Sequence, residues 1–202
     1  MIFLPYPNIS IKLCHFIGIV HHPNLLCWYS GLVNVGDDPH FSIVLPGGKV
    51  LCYTVQGEHG FSFNLITSTR LIMNAMFIPD THRKEVTWLG SIGVVVANSQ
   101  YQGSNITKLK FDVDTKEVHI AEKVTLKAKN IEKLTFHEGK LTISEAPPKE
   151  GFQYPAVKVN LNDVGLTFTI KFTGSHLDMF WHSVGEQRED SHGLVGKMST
   201  AL

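Results

Sequence analysis

Between Val164 and Phe172 the apolar residues Leu166, Phe168, Ile170 and Phe172 stand at every second position, separated by Thr167, Thr169 and Lys171. A period of two belongs to a pleated strand, so one set of side chains faces a core and the other faces solvent. Leu109, Phe111 and Val113 repeat the pattern against Lys108, Lys110 and Asp112, and Asp114-Thr115-Lys116 turns the chain into Val118-His119-Ile120. Phe61 and Phe63 alternate with Ser62 and Asn64, and Leu65 and Ile66 continue that strand. Breakers fall between the runs: Pro46-Gly47-Gly48 after Phe41–Leu45, and Gly57 to Gly60 after Val50–Gln56. His137-Glu138-Gly139-Lys140 separates Ile131–Phe136 from Leu141–Ile143, with glycine where a hairpin needs positive φ. No stretch holds a helical apolar period over three turns. Short strands at intervals of roughly 8–12 residues with turn signals between them predict an all-β fold, an antiparallel sandwich or barrel-like module. Ala146-Pro147-Pro148-Lys149-Glu150-Gly151 is the best internal boundary, since two prolines do not fit a central strand. It is expected to separate two sub-sheets of one domain.

The chain has 202 residues, 43% of them hydrophobic and 18% charged, which supplies a real core and excludes wholesale disorder. Lys and Arg number 18 and Asp and Glu also 18, with no long run of one sign. A nucleic-acid partner needs clustered cations to displace counterions from phosphates, and that footprint is missing. An anionic polysaccharide would have to use a local patch such as Lys123, Lys127, Lys129 and Lys133. Three cysteines, Cys14, Cys27 and Cys52, form no C-x-x-C, so neither a zinc knuckle nor a thioredoxin-type site is indicated. In a secreted protein the odd count leaves one thiol free or paired outside the chain, and in a cytosolic one it needs no comment. A membrane-spanning helix needs about twenty mostly apolar residues, and no such run exists. Residues 1–30 are an atypical segment, apolar but interrupted by Pro5, Pro7, Lys12 and His15, and they meet a secretory signal only in part. The β module is assigned to residues 31–202.

The most reactive linkage in the chain is Asp38–Pro39. As a turn it needs no further role, because Asp starts turns, Pro fixes φ, and a strand begins at Phe41. Its covalent chemistry is sharper. The Asp38 carboxyl can attack its own main-chain carbonyl carbon, expel the proline nitrogen and leave a cyclic anhydride, which is nucleophilic catalysis by a carboxylate within the chain. Water then completes a cleavage, or a sugar hydroxyl forms an ester on Asp38. His40 is placed to carry the proton to the departing nitrogen, and Asp37 would raise the Asp38 pKa by like-charge repulsion.

The surrounding residues, Val35-Gly36-Asp37-Asp38-Pro39-His40-Phe41 followed by Ile43-Val44-Leu45-Pro46 and Cys52-Tyr53, resemble the C-terminal domain of the inter-α-trypsin inhibitor heavy chains. Trp88-Leu89-Gly90-Ser91-Ile92-Gly93 and His192-Gly193-Leu194-Val195-Gly196 are similar to two further motifs of that family, in the same order. The resemblance covers about Val33 to Met198. Type D modules of von Willebrand factor share the bracketing motifs but are far richer in cysteine, so they stand second as an architecture. What the heavy-chain resemblance implies is a secreted, extracellular propeptide-type module linked to hyaluronan metabolism and matrix assembly. Cleavage would fall at Asp38–Pro39, with Asp38 the acyl donor to chondroitin sulfate or hyaluronan and other matrix proteins as further partners. Two departures stand out: the family motif has a single acid where this chain has Asp37 and Asp38, and no Asp-x-Ser-x-Ser metal site of a von Willebrand A domain is present. The family also continues past the position of Gly196 with further strands and another cysteine, which implies a truncated module in which Cys52 lacks its partner.

The remaining polar residues nominate little. The histidines His21-His22, His137, His176 and His182 show no metal-ligand spacing, and no cofactor is implied. The sequons at Asn8 and Asn105 would accept glycans on the secretory path. Phe180, Trp181 and Trp88 are expected to be core anchors before sugar-stacking platforms. No Ser/His/Asp or Cys/His pattern indicates a hydrolase, so the chain is not expected to be an enzyme beyond a single self-cleavage. The competing function is a passive β-sheet adhesion or interaction module in which Asp38–Pro39 is only a turn.

Overall fold

A computed structural model of the chain describes residues 9–12, 33–36, 40–44, 50–55, 60–82, 86–97, 106–121, 124–129, 131, 134–136, 141–146, 154–183 and 192–193. In chain order the strands are β1 (Ile9–Lys12), β2 (Val33–Gly36), β3 (His40–Val44), β4 (Val50–Val55) and β5 (Ser62–Thr67). They continue as β6 (Leu71–Pro79), β7 (Thr87–Ala97), β8 (Ile106–Asp112), β9 (Glu117–Ile120) and β10 (Val124–Lys127). The last are β11 (Leu134–Phe136), β12 (Leu141–Glu145), β13 (Ala156–Leu161), β14 (Leu166–Phe172) and β15 (Leu177–Ser183). A single 3-10 turn, Asn162–Val164, joins β13 to β14 among the described residues. The fold is all-β and antiparallel, one curled sheet approaching a half-barrel. Among the described residues no helix is long and apolar enough to cross a membrane.

The branch point is β15. β14 occupies one of its edges, from Phe172 opposite Leu177 to Thr167 opposite Ser183. Two strands share the other edge end to end: β7 pairs through Leu89 opposite Leu177, and β2 through Val35 and Asn34 opposite Met179 and Phe180. From β2 one arm runs β3, β4, β1, so Ile9–Lys12, from the segment set apart at the N-terminus, joins the sheet. The β7 arm carries β6 and β5 on one side and β8, β9 and β10 on the other, while β14 leads to β13, β12 and β11.

The expected alternation is present: Leu166, Phe168, Ile170 and Phe172 are buried on β14, and Leu109, Phe111 and Val113 on and just after β8. Phe111 meets Phe168 edge-on with ring centroids 6.0 Å apart at 77°. β8 and β14 do not pair with each other, so this contact crosses the interior and closes the curled sheet on one core. Burying a large side chain of this kind contributes about 1.5–3 kcal/mol, so such cross-interior contacts stabilise the curled form.

Two strands were not legible from period. β6 and β7 read as Leu-Ile-Met-Asn-Ala-Met-Phe-Ile-Pro and Thr-Trp-Leu-Gly-Ser-Ile-Gly-Val-Val-Val-Ala, without clean polar alternation. β7 is paired on both edges, so its pattern is set by neighbours as well as by solvent. Two bulges also break the period. Leu65 is an extra residue on β5, which lets adjacent Leu65 and Ile66 both enter the core. Gly90 is the extra residue on β7, and it brings Leu89 and Ile92, three positions apart, onto the same buried face. Phe61 lies just outside β5 and is exposed, whereas Phe63 packs on Phe77 with centroids 4.8 Å apart.

One expectation is corrected. The Pro147-Pro148 segment divides no sub-sheets, because β12 and β13 on either side of it pair directly from Leu141 opposite Leu161 to Glu145 opposite Val157. Proline bars a residue from a ladder, but a connection between hairpin partners needs no ladder bond.

Candidate functional site

Asp37, Asp38 and Pro39 lie outside the described residues, as do Asn8 and Asn105. Their flanks are described as backbone. Gly36 ends β2, His40 begins β3, and the two are register partners in an antiparallel pair. The Asp37-Asp38-Pro39 segment therefore follows a strand that hangs directly on β15 through Asn34 and Val35. Of the lysine patch, Lys123 and Lys133 lie outside the described residues and Lys129 is exposed. Lys127 is already engaged: its ammonium beside Glu117 holds that carboxyl below the usual carboxylate range. A polyanion surface built on these lysines thus begins with one charge committed.

The described residues bring together a different cluster, on the outer face where β7 meets β15. Leu89 and Leu177 pair inward and are buried, so their neighbours Trp88 and Asp178 fall on the opposite face of the sheet. A tight turn, in which Thr173 N–H donates to the His176 carbonyl at 2.9 Å and His176 N–H to Thr173 Oγ1 at 3.0 Å, sets His176 just before β15. The His176 ring stacks on Trp88, centroids 4.2 Å apart and 17° from parallel. The indole in turn donates from Nε1 to Asp80 Oδ2 at 2.7 Å. His176 Nε2 stands 3.4 Å from Asp178 Oδ1, Nδ1 lies 3.1 Å from Ser175 Oγ, and Lys171 Nζ donates to Asp178 Oδ2 at 3.3 Å. Lys171 Nζ also lies 5.4 Å from the centroid of the exposed Tyr154 ring. The side chains of Lys171, His176 and Asp178 keep only 15%, 14% and 11% of their exposure, so the Lys171 and Asp178 charges interact with little water between them and the imidazole lies against that pair.

Chemically this is a hydroxyl, an imidazole and a carboxylate in sequence, able to hold and pass a proton. Both Ser175 and His176 belong to one turn, and the hydroxyl contact is local in the chain, which suits proton exchange better than attack on a substrate. Among the described residues no group of three or more His, Cys, Asp or Glu side chains is gathered to hold a metal ion. Trp181 is the fully buried anchor expected of it, but Trp88 is only half-buried and serves as the platform for His176, a correction to its reading as core. The sequence contained one signal for this cluster: Lys171, Trp88, His176 and Asp178 are polar or amphipathic residues flanking strict apolar positions. Nothing in the sequence says that β7 and β15 become neighbours.

The His192-Gly193 motif docks on the β5 bulge. Thr67 N–H donates to the His192 carbonyl at 2.9 Å and His192 N–H to the Thr67 carbonyl at 2.7 Å. Gly193 has φ +99°, and a Cβ there would collide with Asn64 Oδ1 and come within 2.8 Å of the Leu65 carbonyl oxygen. The Asn64 amide is itself held, donating to Thr67 Oγ1 and to Asn74 Oδ1, each at 2.8 Å. Gly90, in the second motif, is likewise a position where a Cβ would strike the Ile78 side chain. Two of the three motifs that carry the family resemblance thus contain a glycine with a steric reason to be there. No protein-family model matches the chain, and no curated protein matches it in sequence.

Proposed function

We propose that the chain is a secreted, extracellular module of the inter-α-trypsin inhibitor heavy-chain type, in which Asp38–Pro39 is the scissile bond and Asp38 the acyl donor to a glycosaminoglycan hydroxyl. The observation that supports it is the register of Gly36 with His40. The residues flanking Asp37-Asp38-Pro39 are tied across two hydrogen-bonded strands, and β2 is tied again to β15. Fixing both flanks restricts the conformations open to the bond between them, and attack by a neighbouring carboxyl gains most of its rate from orientation.

In the proposed step a carboxyl oxygen of Asp38 bonds to the Asp38 carbonyl carbon while the C–N bond to Pro39 breaks. The carboxyl proton passes to the proline nitrogen, with His40 as carrier and Asp37 keeping Asp38 protonated at higher pH. Water opens the resulting anhydride to a free C-terminal Asp38. A hydroxyl of chondroitin sulfate or hyaluronan opens it to an ester instead, leaving the second carboxyl free. Neither course needs a cofactor or an oxidant.

The test is intact mass on the full chain held at mildly acidic pH. Fragments 1–38 and 39–202 are expected, absent in Asp38→Ala, with slowing of about 10²-fold or more in His40→Ala, the scale of general acid–base catalysis. With a chondroitin sulfate oligosaccharide present, the first fragment gains the oligosaccharide mass less one water. An intact chain, or cleavage equally fast in urea, sinks the reading and leaves a passive β-sheet interaction module.

A further inference from the structure

The geometry points to a covalent use of the Lys171–Asp178 pair: an amide cross-link between the two side chains, formed by the folded chain itself with loss of water. The two residues stand directly opposite each other on β14 and β15, so their side chains share one face with Cβ atoms about 4.5–5.5 Å apart. Lys171 Nζ reaches Asp178 Oδ2 at 3.3 Å, and the carbon to be attacked, Asp178 Cγ, is bonded to that oxygen. Both side chains are largely buried, and the Tyr154 ring lies 5.4 Å from Nζ. The other carboxyl oxygen, Oδ1, is buried with no hydrogen-bond partner among the described residues. His176 Nε2 stands 3.4 Å from it, with Nδ1 of the same ring 3.1 Å from Ser175 Oγ. An amine, a carboxyl carbon and a proton carrier therefore meet at one place.

In bulk water an amine and a carboxylic acid do not condense, because both are charged and water is in large excess. Burial reduces both obstacles. Two ions are costly to hold out of water, and passing one proton from the ammonium to the carboxylate leaves two neutral groups in the same contact. Pairing of β14 with β15 has already brought them together, and well-oriented groups fixed in this way react as if at about 10⁵–10⁸ M. Little water remains at the site to reverse the condensation. The lone pair of the neutral Nζ forms a bond to Asp178 Cγ, and a tetrahedral adduct results. The nitrogen then gives up a proton, His176 delivers one to Oδ1, and the bond from Cγ to Oδ1 breaks with its electron pair leaving in water. Oδ2 stays as the amide carbonyl. Of the three ammonium protons one remains on the amide nitrogen and two depart in the water, so no oxidant or cofactor is consumed. The loop closed by the link, Phe172 to Leu177, is short, so the unfolded chain loses little entropy. The effect is local: the link fixes the register of β14 on β15 beside Leu177, the residue through which β7 pairs. This inference does not depend on chemistry at Asp38–Pro39.

Intact mass of the full chain reads the link directly: the expected value is the sequence mass less one water. Trypsin should fail at Lys171 and leave residues 159–188 as a single peptide carrying the same deficit. Lys171→Arg and Asp178→Ala restore the full mass. Asp178→Asn closes the same link with loss of ammonia in place of water, and serves where the other variants fold poorly. A full sequence mass in the unmodified chain overturns the cross-link. So does a deficit that survives Lys171→Arg, which would mark a dehydrated aspartate elsewhere.

Discussion

Gly193 shows how much a single residue without a side chain can decide. Its φ of +99° lies where L side chains are strained, and Asn64 Oδ1 and the Leu65 backbone occupy the space a Cβ would need. Leu65 is held there because it is the bulged residue of β5, with its own side chain fully buried. Neither wall can therefore retreat cheaply. Gly193→Ala is expected to undock the segment, abolishing exchange protection of the His192 amide, and to destabilise the fold by about 1–3 kcal/mol in urea unfolding. A protected His192 amide in that variant would contradict this. From the sequence the His192-Gly193 motif could be seen, whereas its target could not, because Asn64 and Leu65 lie more than a hundred positions earlier in the chain.

At the scale of an element, the β8–β9 hairpin is the part most completely written in its residues. Asp112 closes the strand, and its Oδ1 accepts from the backbone N–H groups of Asp114 at 3.1 Å and Thr115 at 3.4 Å. Lys116 takes φ 53° to complete the turn. Burial pushes the Asp112 carboxyl up, but hydrogen bonds from Lys110, Thr115 and Asp114 and the Lys110 charge outweigh it and hold the group below the usual carboxylate range. A lowered folded-state pKa means stabilisation that is present above the unfolded value, about 3.9, and is lost as pH falls through the lower folded value. Asp112→Asn should thus be less stable than the parent at pH 7, by less than about 1 kcal/mol after solvent screening, with the difference closing below pH 4. A gap that persists in acid would show that the charge is not its source. β6 and β7 were less legible for a physical reason: each is paired on both edges, so apolar residues stand on both faces, and in β7 the bulge at Gly90 also shifts the side-chain period by one.

For the whole molecule, the buried side chains from Val55 to Trp181 make one contiguous cluster that takes in the β7 arm and the β14–β15 trunk together. The two should therefore unfold together, with fluorescence and far-UV circular dichroism giving coincident transitions. Trp181 is fully buried on β15, and its Nε1 has no partner among the described residues. Trp181→Ala is expected to lower stability by about 3–5 kcal/mol. Trp181→Phe, which removes an unpaired buried donor with part of the volume, should lower it by clearly less. Separate transitions for the two probes would show that the arms are independent. β15 is also the strand on which β2 hangs, so loss of its packing would loosen the flank of Asp38–Pro39 as well as the pairing of β15 with β7.

The sequence alone determined the class of fold and several strands, because alternation and turn residues are local and act within a few positions. It also singled out Asp38–Pro39, since the reactivity of that bond lies in its own two residues. Only the tertiary structure decided that one strand would carry three neighbours, that Gly90 and Gly193 would sit against side chains and backbone distant in sequence, and that Trp88 would meet His176. Those outcomes depend on which strand edges meet, and edge pairing is set by the burial of a common core, to which residues far apart in the chain contribute at once.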